Sequence, residues 1–465
     1  MWQRRVKKLH FVGIGGAGMS GIAEILAATG FVITGSDLAD SETTVHLRSL
    51  GIPCAIGHDP AHVGSADVVV ISSAVAGDNP EVAAAVQRGI PVIRRAEMLG
   101  ELMRLKFSVG IAGTHGKTTT TSMIGHILTQ AGWDPTVIVG GRLIQLDANA
   151  QLGKSQYLIA EADEYDHSFL SLHPTVAIAT NLEEDHLDCY ADLADLQDNF
   201  VEFFHRVPFY GTVLTNRQSP ALQAISARIN RRHRTFGTTP DADVVAESLA
   251  VSSRSSRFDL VCDQRRLATI DVPLPGHHNA ENALAACAVA LELEVPVEAI
   301  RQSLATFTGV GRRFEVKGVE GGVTVVDDYG HHPTEVRAAL AAGRSWLAGK
   351  GRLLAIFQPH LYSRTQHFHH EFAAALSEAD GVILAPIYAA REKPLPGVAS
   401  RLIADHLTSS NLPLGCTLAP DLDDVPDLVA DKVKSGDLVM TIGAGSIYRV
   451  GPQILLRLKP ELVRA

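Results

Sequence analysis

The chain is poor in cysteine, and the few it has form no pattern. Cys54, Cys189, Cys262, Cys287 and Cys416 are odd in number, far apart and without C-x-x-C spacing. That excludes a disulfide framework and a zinc knuckle and fits a reducing cytoplasm. Long apolar runs are also missing. LHFVGIGGAGM near the start is too short and too broken by glycine to be a signal segment, and no stretch approaches membrane-spanning length, so a cytoplasmic protein with no membrane insertion is expected. Positive charge is in deficit: 41 Lys and Arg against 51 Asp and Glu give a net charge of −10. The acidic balance argues against a nucleic-acid partner, and an anionic substrate would have to be received by a few placed basic groups. Repeats and low-complexity tracts are absent. With 46% hydrophobic and 20% charged residues the composition is that of a folded chain, and 465 residues exceed what one core usually organises, which predicts two or three domains.

The stretch from Phe107 to Ala131 organises the rest. Phe107, Val109 and Ile111 alternate as in a strand, Gly113 and Gly116 form a loop, and Met123, Ile124, Ile127 and Leu128 recur with helical spacing. Bare glycine backbone lets N–H groups converge on a phosphate, the helix N-terminus favours an anion, and Lys117 adds a cation. Gly113, Thr114, His115, Gly116, Lys117, Thr118 and Thr119 therefore read as a triphosphate cradle, with Lys117 expected as an exposed loop cation. The strict G-x-x-x-x-G-K-[ST] pattern would need glycine at Ile111, so the loop is a variant. An ordinary glycine turn would leave the strand, the helix and the Lys-Thr pair in register by coincidence.

The N-terminus reads as a Rossmann-like start: a strand over Leu9 to Ile14, a GGAG loop, then a helix from Met19. Gly13, Gly15 and Gly18 satisfy G-x-G-x-x-G, and the next strand ends in Asp37. Taken alone this favours NAD, but a diphosphate on that helix could equally belong to a UDP-sugar, and the glycines could merely permit close packing. Strand and helix alternate to Lys106 and on through Tyr157–Ala160, Thr175–Thr180 and Thr212–Thr215. EADEYDHS and NLEEDHLD begin at strand ends, where an open α/β sheet places its ligands. Glu161 and His186 are candidate ligands there. Thr118 with a carboxylate and nucleotide phosphates would suffice for Mg2+, and His186 could serve a second ion. Asp163, Asp166, Asp185 and Asp188 read individually as solvated or capping residues.

Asn279 and Asn282 open a helix and share a face; they could read an adenine edge or act as caps. GVGRRFEVKG reads as a hinge, giving domains over 1–106, 107–311 and 312–465 and, overall, an α/β chain with a Rossmann-like first domain, a P-loop-like central parallel sheet and a third Rossmann-like α/β domain. In the third, DDYGHHP and FQPHLYSRT bring Asp328, Tyr329, His331, His360 and Arg364 to one crevice edge.

GIGGAGMSGIAEIL, RRAEMLGELMR, GTHGKTTTT, EADEYD, TNLEEDHLD, HHNAENALAA, GVGRRFE, DDYGHHPTE and FQPHLYSRT together resemble the Mur ligases, and the likeness spans all three domains. ISSAV, the GTHGKTTTT loop and FFHRVPFYG are similar to the alanine-adding branch. The resemblance implies ATP-dependent amide formation between the carboxylate of UDP-N-acetylmuramate and L-alanine, through an acyl phosphate. It puts Thr118 and Glu161 at one Mg2+ and His186 at a second, Asn279 and Asn282 by the adenine, Arg313 near the γ-phosphate and Asp328 near the ribose. It puts Gly15, Gly16, Ala17, Gly18, Ser72 and Ser73 on the uridine diphosphate, with Asp37 beside them, and Tyr329, His331, His360 and Arg364 on the amino acid. Lys117, Glu161, His186 and Arg364 would carry the catalysis.

Two positions depart from the family pattern. Leu361 stands where many members have arginine, which shifts weight to Arg364. Ala191 to Val207 contains no lysine, where members adding later residues carry a carbamylated one. Three other readings compete: a recycling ligase that joins a preformed peptide to the same sugar nucleotide, an NAD-dependent oxidoreductase, and an ATP-driven switch without an amide product. The oxidoreductase reading leaves Lys117, Glu161 and His186 without a task.

Overall fold

The computed structural model describes residues 6–72, 75–143, 148–185, 189–390, 392–407 and 412–459. Two units emerge from the packing of the backbone. The first is Met1–Val245, Val261–Ala268 and Asn282–Leu304; the second is Ala246–Leu260, Thr269–Glu281 and Ala305–Ala465. No helix among the described residues is long and apolar enough to cross a membrane.

The first unit opens with β1 (Lys8–Val12), α1 (Ala17–Ala28), β2 (Val32–Asp37), α2 (Glu42–Ser49), β3 (Cys54–Ile56), β4 (Val68–Ile71), α3 (Pro80–Gln87), β5 (Val92–Arg94) and α4 (Arg95–Arg104). Its five strands are parallel in the order β3-β2-β1-β4-β5. The helix starts are written locally. Ser41 accepts the Thr44 amide ahead of α2, and Asn79 accepts from Glu81 and Val82 with Pro80 at the first helical position. The first helix begins two residues before the Met19 read from apolar spacing, because Gly16 to Gly18 have no side chains large enough to show a period.

A second sheet follows in the same unit: β6 (Phe107–Ala112), α5 (Lys117–Gln130), β7 (Thr136–Leu143), β8 (Ala148–Gln151), β9 (Tyr157–Glu161), β10 (Val176–Ala179), α6 (Leu193–His205), β11 (Thr212–Asn216), α7 (Pro220–Ile225) and β12 (Arg232–Gly237). Seven strands of this ten-stranded sheet run β12-β11-β10-β6-β9-β7-β8, all parallel except the β7–β8 hairpin. The central strands are apolar on both faces, as parallel strands covered by helices must be. One core runs continuously from Phe11, Ile22 and Leu26 under the first sheet to Leu158, Phe200 and Phe203 under the second. Next come β13 (Val244–Val251), β14 (Ser256–Cys262), β15 (Arg265–Val272), α8 (His277–Glu292) and α9 (Val297–Ala305), which the unit boundary divides.

The second unit carries β16 (Glu315–Glu320), β17 (Val323–Asp328), α10 (Pro333–Leu347), β18 (Leu353–Phe357), α11 (Tyr362–Leu376), β19 (Gly381–Leu384), α12 (Arg401–Leu407), β20 (Cys416–Leu418), α13 (Val425–Ala430), β21 (Leu438–Ile442) and α14 (Val450–Arg457). Sheet order is β16-β17-β21-β18-β19-β20, with β16 antiparallel to β17 and the rest parallel. Part of the stretch read as a hinge is thus an edge strand. Its half-exposed E-V-K-G-V-E lacks the apolar run of a central strand and pairs on one side.

Candidate functional site

At the first glycine loop, the Gly15 amide donates to Asp37 Oδ2 at 2.8 Å. Asp37 therefore braces the loop with its carboxylate. Gly13 sits at φ +78, and a Cβ there would meet Ser72 Cβ at 3.3 Å, so Ser72 at the end of β4 closes on the loop. Gly16 precedes α1, and Ala17 is its first residue. A Cβ on Gly18 would lie 2.8 Å from Arg95 Nη1. The absence of a side chain at Gly18 thus lets a guanidinium lie against the first turn of α1. Ser73 lies outside the described residues.

The second glycine loop is tied to the end of β10. Thr114 Oγ1 accepts the Glu183 amide at 2.9 Å, the His115 amide donates to Asn181 Oδ1 at 2.8 Å, and Thr180 Oγ1 donates to the His115 carbonyl at 2.5 Å. Gly113 at φ +128 would bring a Cβ to 2.2 Å from Thr180 Oγ1, so only glycine fits. Gly116, at φ +82, ends the loop at the first turn of α5, where Lys117, Thr118 and Thr119 begin the helix. Register pairs Ile111 of β6 with Glu161 of β9, which brings the Glu161 carboxylate and Thr118 to the same carboxyl edge of the sheet.

Lys117 is not an exposed cation. Its side chain is 15% accessible, and Nζ donates to both oxygens of Glu164 at 2.9 Å and to the Gly113 carbonyl at 2.6 Å. Burial would push the lysine down, but the carboxylates of Glu164, Asp163 and Glu161 hold it above its ordinary value. Glu164 itself is buried. The Tyr190 hydroxyl donates to the Glu164 carbonyl at 2.5 Å, and burial raises that phenol's pKa. Asp185, read as solvated, is also buried, at 5% accessibility. Asp163 does cap, accepting the Tyr165 amide at 3.3 Å. His186 and Asp188 lie outside the described residues.

Asn282 belongs to this loop: a Cβ on Gly116 would lie 2.3 Å from its Oδ1, and Thr120 Oγ1 donates to the same oxygen at 3.4 Å. Asn279, in the first turn of α8, donates its Nδ2 to the Pro275 carbonyl at 2.7 Å, a bond to a carbonyl and not the acceptance of a free helix amide that a cap makes.

In the second unit, Asp328 accepts the amides of Phe314 and Gly330, each at 2.8 Å. Burial nevertheless pushes its pKa up to about 6 against the pull of Arg313 and those amides. Arg313 pairs with Glu335 at 3.3 Å and lies over the Tyr329 ring at 5.2 Å. Arg312 lies over the same ring and over Tyr448 and pairs with Asp327 at 3.0 Å. His331 Nδ1 is 3.1 Å from Glu335 and its ring 6.0 Å from that of His360, which stacks on Tyr388. Arg364 is buried in the first turn of α11. Leu361, before that turn, sits at φ +70, an uncommon conformation for a residue with a Cβ. The turn is capped by Glu392, whose Oε2 accepts the Tyr362 amide at 2.5 Å and that of Ser363 at 3.1 Å.

Family models cover the chain in three segments: residues 8–107 match the Mur ligase family catalytic domain, 111–290 the Mur ligase middle domain and 312–445 the Mur ligase glutamate ligase domain. A UDP-N-acetylmuramate–L-alanine ligase of Trichlorobacter lovleyi is 48% identical over 454 residues, 97% of this chain and 99% of that one. The chain belongs to the Mur ligase family. A ligase of the same description from Myxococcus xanthus is 48% identical, with 97% of this chain and 95% of that one covered. Among solved structures, a UDP-N-acetylmuramate–alanine ligase from Thermotoga maritima superposes with a TM-score of 0.80 at 28% identity, covering 97% of this chain and 98% of that one.

Three side chains of this Mur ligase escaped the sequence reading. Glu164 lay within EADEYD and Arg95 within RRAEML, so a carboxylate or cation inside a family motif was the available signal. Glu392 follows the turn it caps by 30 residues and carries no local signal.

Proposed function

We propose that this Mur ligase joins L-alanine to the carboxylate of UDP-N-acetylmuramate at the expense of ATP, giving UDP-N-acetylmuramoyl-L-alanine, ADP and phosphate, as a cytoplasmic step of peptidoglycan precursor synthesis. The observation that carries the reading is Lys117 at the mouth of the glycine loop, among Glu161, Glu164 and the first turn of α5.

A carboxylate resists attack by an amine until one oxygen becomes a leaving group. In the first step the sugar carboxylate oxygen attacks the γ-phosphorus and the bond to ADP breaks. In the second the alanine amine, having lost a proton, attacks the acyl carbon and phosphate leaves. Gly113 to Thr119 would cradle the phosphates on backbone amides, with Lys117 turning from Glu164 toward the γ-phosphoryl group as charge develops there. Asn279 and Asn282 would serve the adenine, Asp328 the ribose and Arg313 the γ-phosphate. Gly15, Gly16, Ala17, Gly18, Ser72 and Ser73 would hold the uridine diphosphate, with Asp37 bracing the loop. Tyr329, His331, His360 and Arg364 would receive the amino acid.

Thr118 and Glu161 offer oxygen donors at one sheet edge, the donor type Mg2+ takes, with His186 as the proposed further ligand. Bound there, Mg2+ would neutralise phosphate charge. The domains of this reading span 1–106, 107–311 and 312–465. The test is phosphate release with ATP, Mg2+ and UDP-N-acetylmuramate, adding L-alanine, other amino acids or a preformed stem tripeptide in turn. Release and amide product with L-alanine are expected. Turnover with the tripeptide alone would assign a recycling ligase, and no turnover with any acceptor would remove the ligase reading.

A further inference from the structure

We propose that the second unit carries a transition-metal site built from His369 and His370 of α11 and His406 of α12, distinct from the residues assigned to ligation. Each of these histidines offers a ring nitrogen, and the three nitrogens lie within 4.8 Å of one another. The ring centroids are 4.3 Å apart for His369 and His370, 5.0 Å for His369 and His406, and 3.9 Å for His370 and His406.

Imidazoles on a tetrahedral ion with bonds of about 2.0 Å place their nitrogens about 3.3 Å apart. Adjustments on the order of 1 Å, within the reach of side-chain rotation, close the triad on an ion. Two of the three rings, His370 and His406, are exposed, so an ion and a completing water can enter. His369 is half-buried, and its Nδ1 makes no hydrogen bond among the described residues. Three nitrogen donors suit Zn2+, Co2+, Ni2+ or Cu2+ and are poor ligands for Mg2+, so the site is chemically separate from the phosphate-associated ion. Because the donors come from two helices, an ion would clip α12 to α11.

The experiment uses the full chain without a histidine tag, freed of metal by chelation and titrated with Zn2+ in the presence of excess Mg2+. One Zn2+ per chain with a Kd in the micromolar range or below is expected, with a rise of Tm and reversal by EDTA. His370→Asn and His406→Asn are surface changes and should each weaken that binding at least tenfold and abolish the Tm rise, while leaving ligase turnover without Zn2+ unchanged. Co2+ in place of Zn2+ should give visible d–d absorption that both variants lose. Absence of a stoichiometric site, or equal binding and equal Co2+ spectra in wild type and both variants, overturns the proposal.

Discussion

Lys117 Nζ lies 2.9 Å from both carboxylate oxygens of Glu164, so the cation of the glycine loop is paired with a buried acid. Removing one partner of such a pair strands the other charge, which typically costs about 3–5 kcal/mol. Lys117→Met should therefore lose roughly a hundredfold or more in turnover and also unfold at lower urea. Lys117→Met combined with Glu164→Gln should recover much of the stability and none of the turnover. Urea midpoints and phosphate release on the single and double variants separate the two effects. An unchanged midpoint in Lys117→Met would remove the buried pair, and near-normal turnover would remove the phosphate assignment.

A second buried acid predicts how the first unit responds to acid. Glu81 is fully buried and hydrogen-bonded to Ser36 at 2.6 Å, His62 at 2.8 Å and His10 at 3.3 Å, with His58 at 3.5 Å. Burial would raise its pKa, but the bonds from His10, Ser36 and His62 outweigh it and hold the carboxyl at about 2. A depressed carboxyl stabilises the fold above its unfolded pKa, and that contribution is lost as pH falls from about 4.5 through about 2. Glu81→Gln should cost about 3 kcal/mol at neutral pH and flatten the loss of stability below about pH 4.5. Denaturation at a series of pH values checks this; an acid limb identical to wild type would rule the network out.

Gly116 has φ +82 and would bring a Cβ to 2.3 Å from Asn282 Oδ1, whereas Gly132, at φ +78, has nothing within 4 Å. Alanine at either position pays for left-handed backbone, on the order of 1 kcal/mol. Only Gly116→Ala adds a clash, so it should be the more destabilised of the two and should lose ATP affinity, while Gly132→Ala keeps it. Calorimetry with ATP and urea midpoints on both variants decides; equal effects would mean that Asn282 does not pack on the loop.

Arg364, buried in the first turn of α11, is the cation proposed above for the carboxylate of the incoming amino acid. Lysine keeps the charge and loses the planar fork. Arg364→Lys should raise the amino-acid KM on the order of tenfold, with acyl phosphate, trapped by borohydride reduction, formed at the wild-type level. A parallel fall of trapped intermediate and amide at unchanged KM would move Arg364 to the phosphoryl-transfer step.

Periodic and local features were legible in the amino-acid sequence. Alternation in Phe107–Ala112, apolar spacing along α5, and the glycines and Lys117 between them all act within a few residues, where backbone sterics and helix geometry decide. Glu161 could be read because it directly follows an apolar strand. Tertiary structure alone decided the partners. Sheet order β3-β2-β1-β4-β5 brings His10, Ser36 and His62 to Glu81, and the order of the second sheet sets Glu161 beside Ile111. Glu164 was visible as an acid and not as the partner of Lys117, 47 residues away. Its burial turned an expected surface cation into half of an ion pair. A strand's period says which face is apolar but not which strand lies beside it, so contacts that depend on strand order and on packing between distant helices have no local signature.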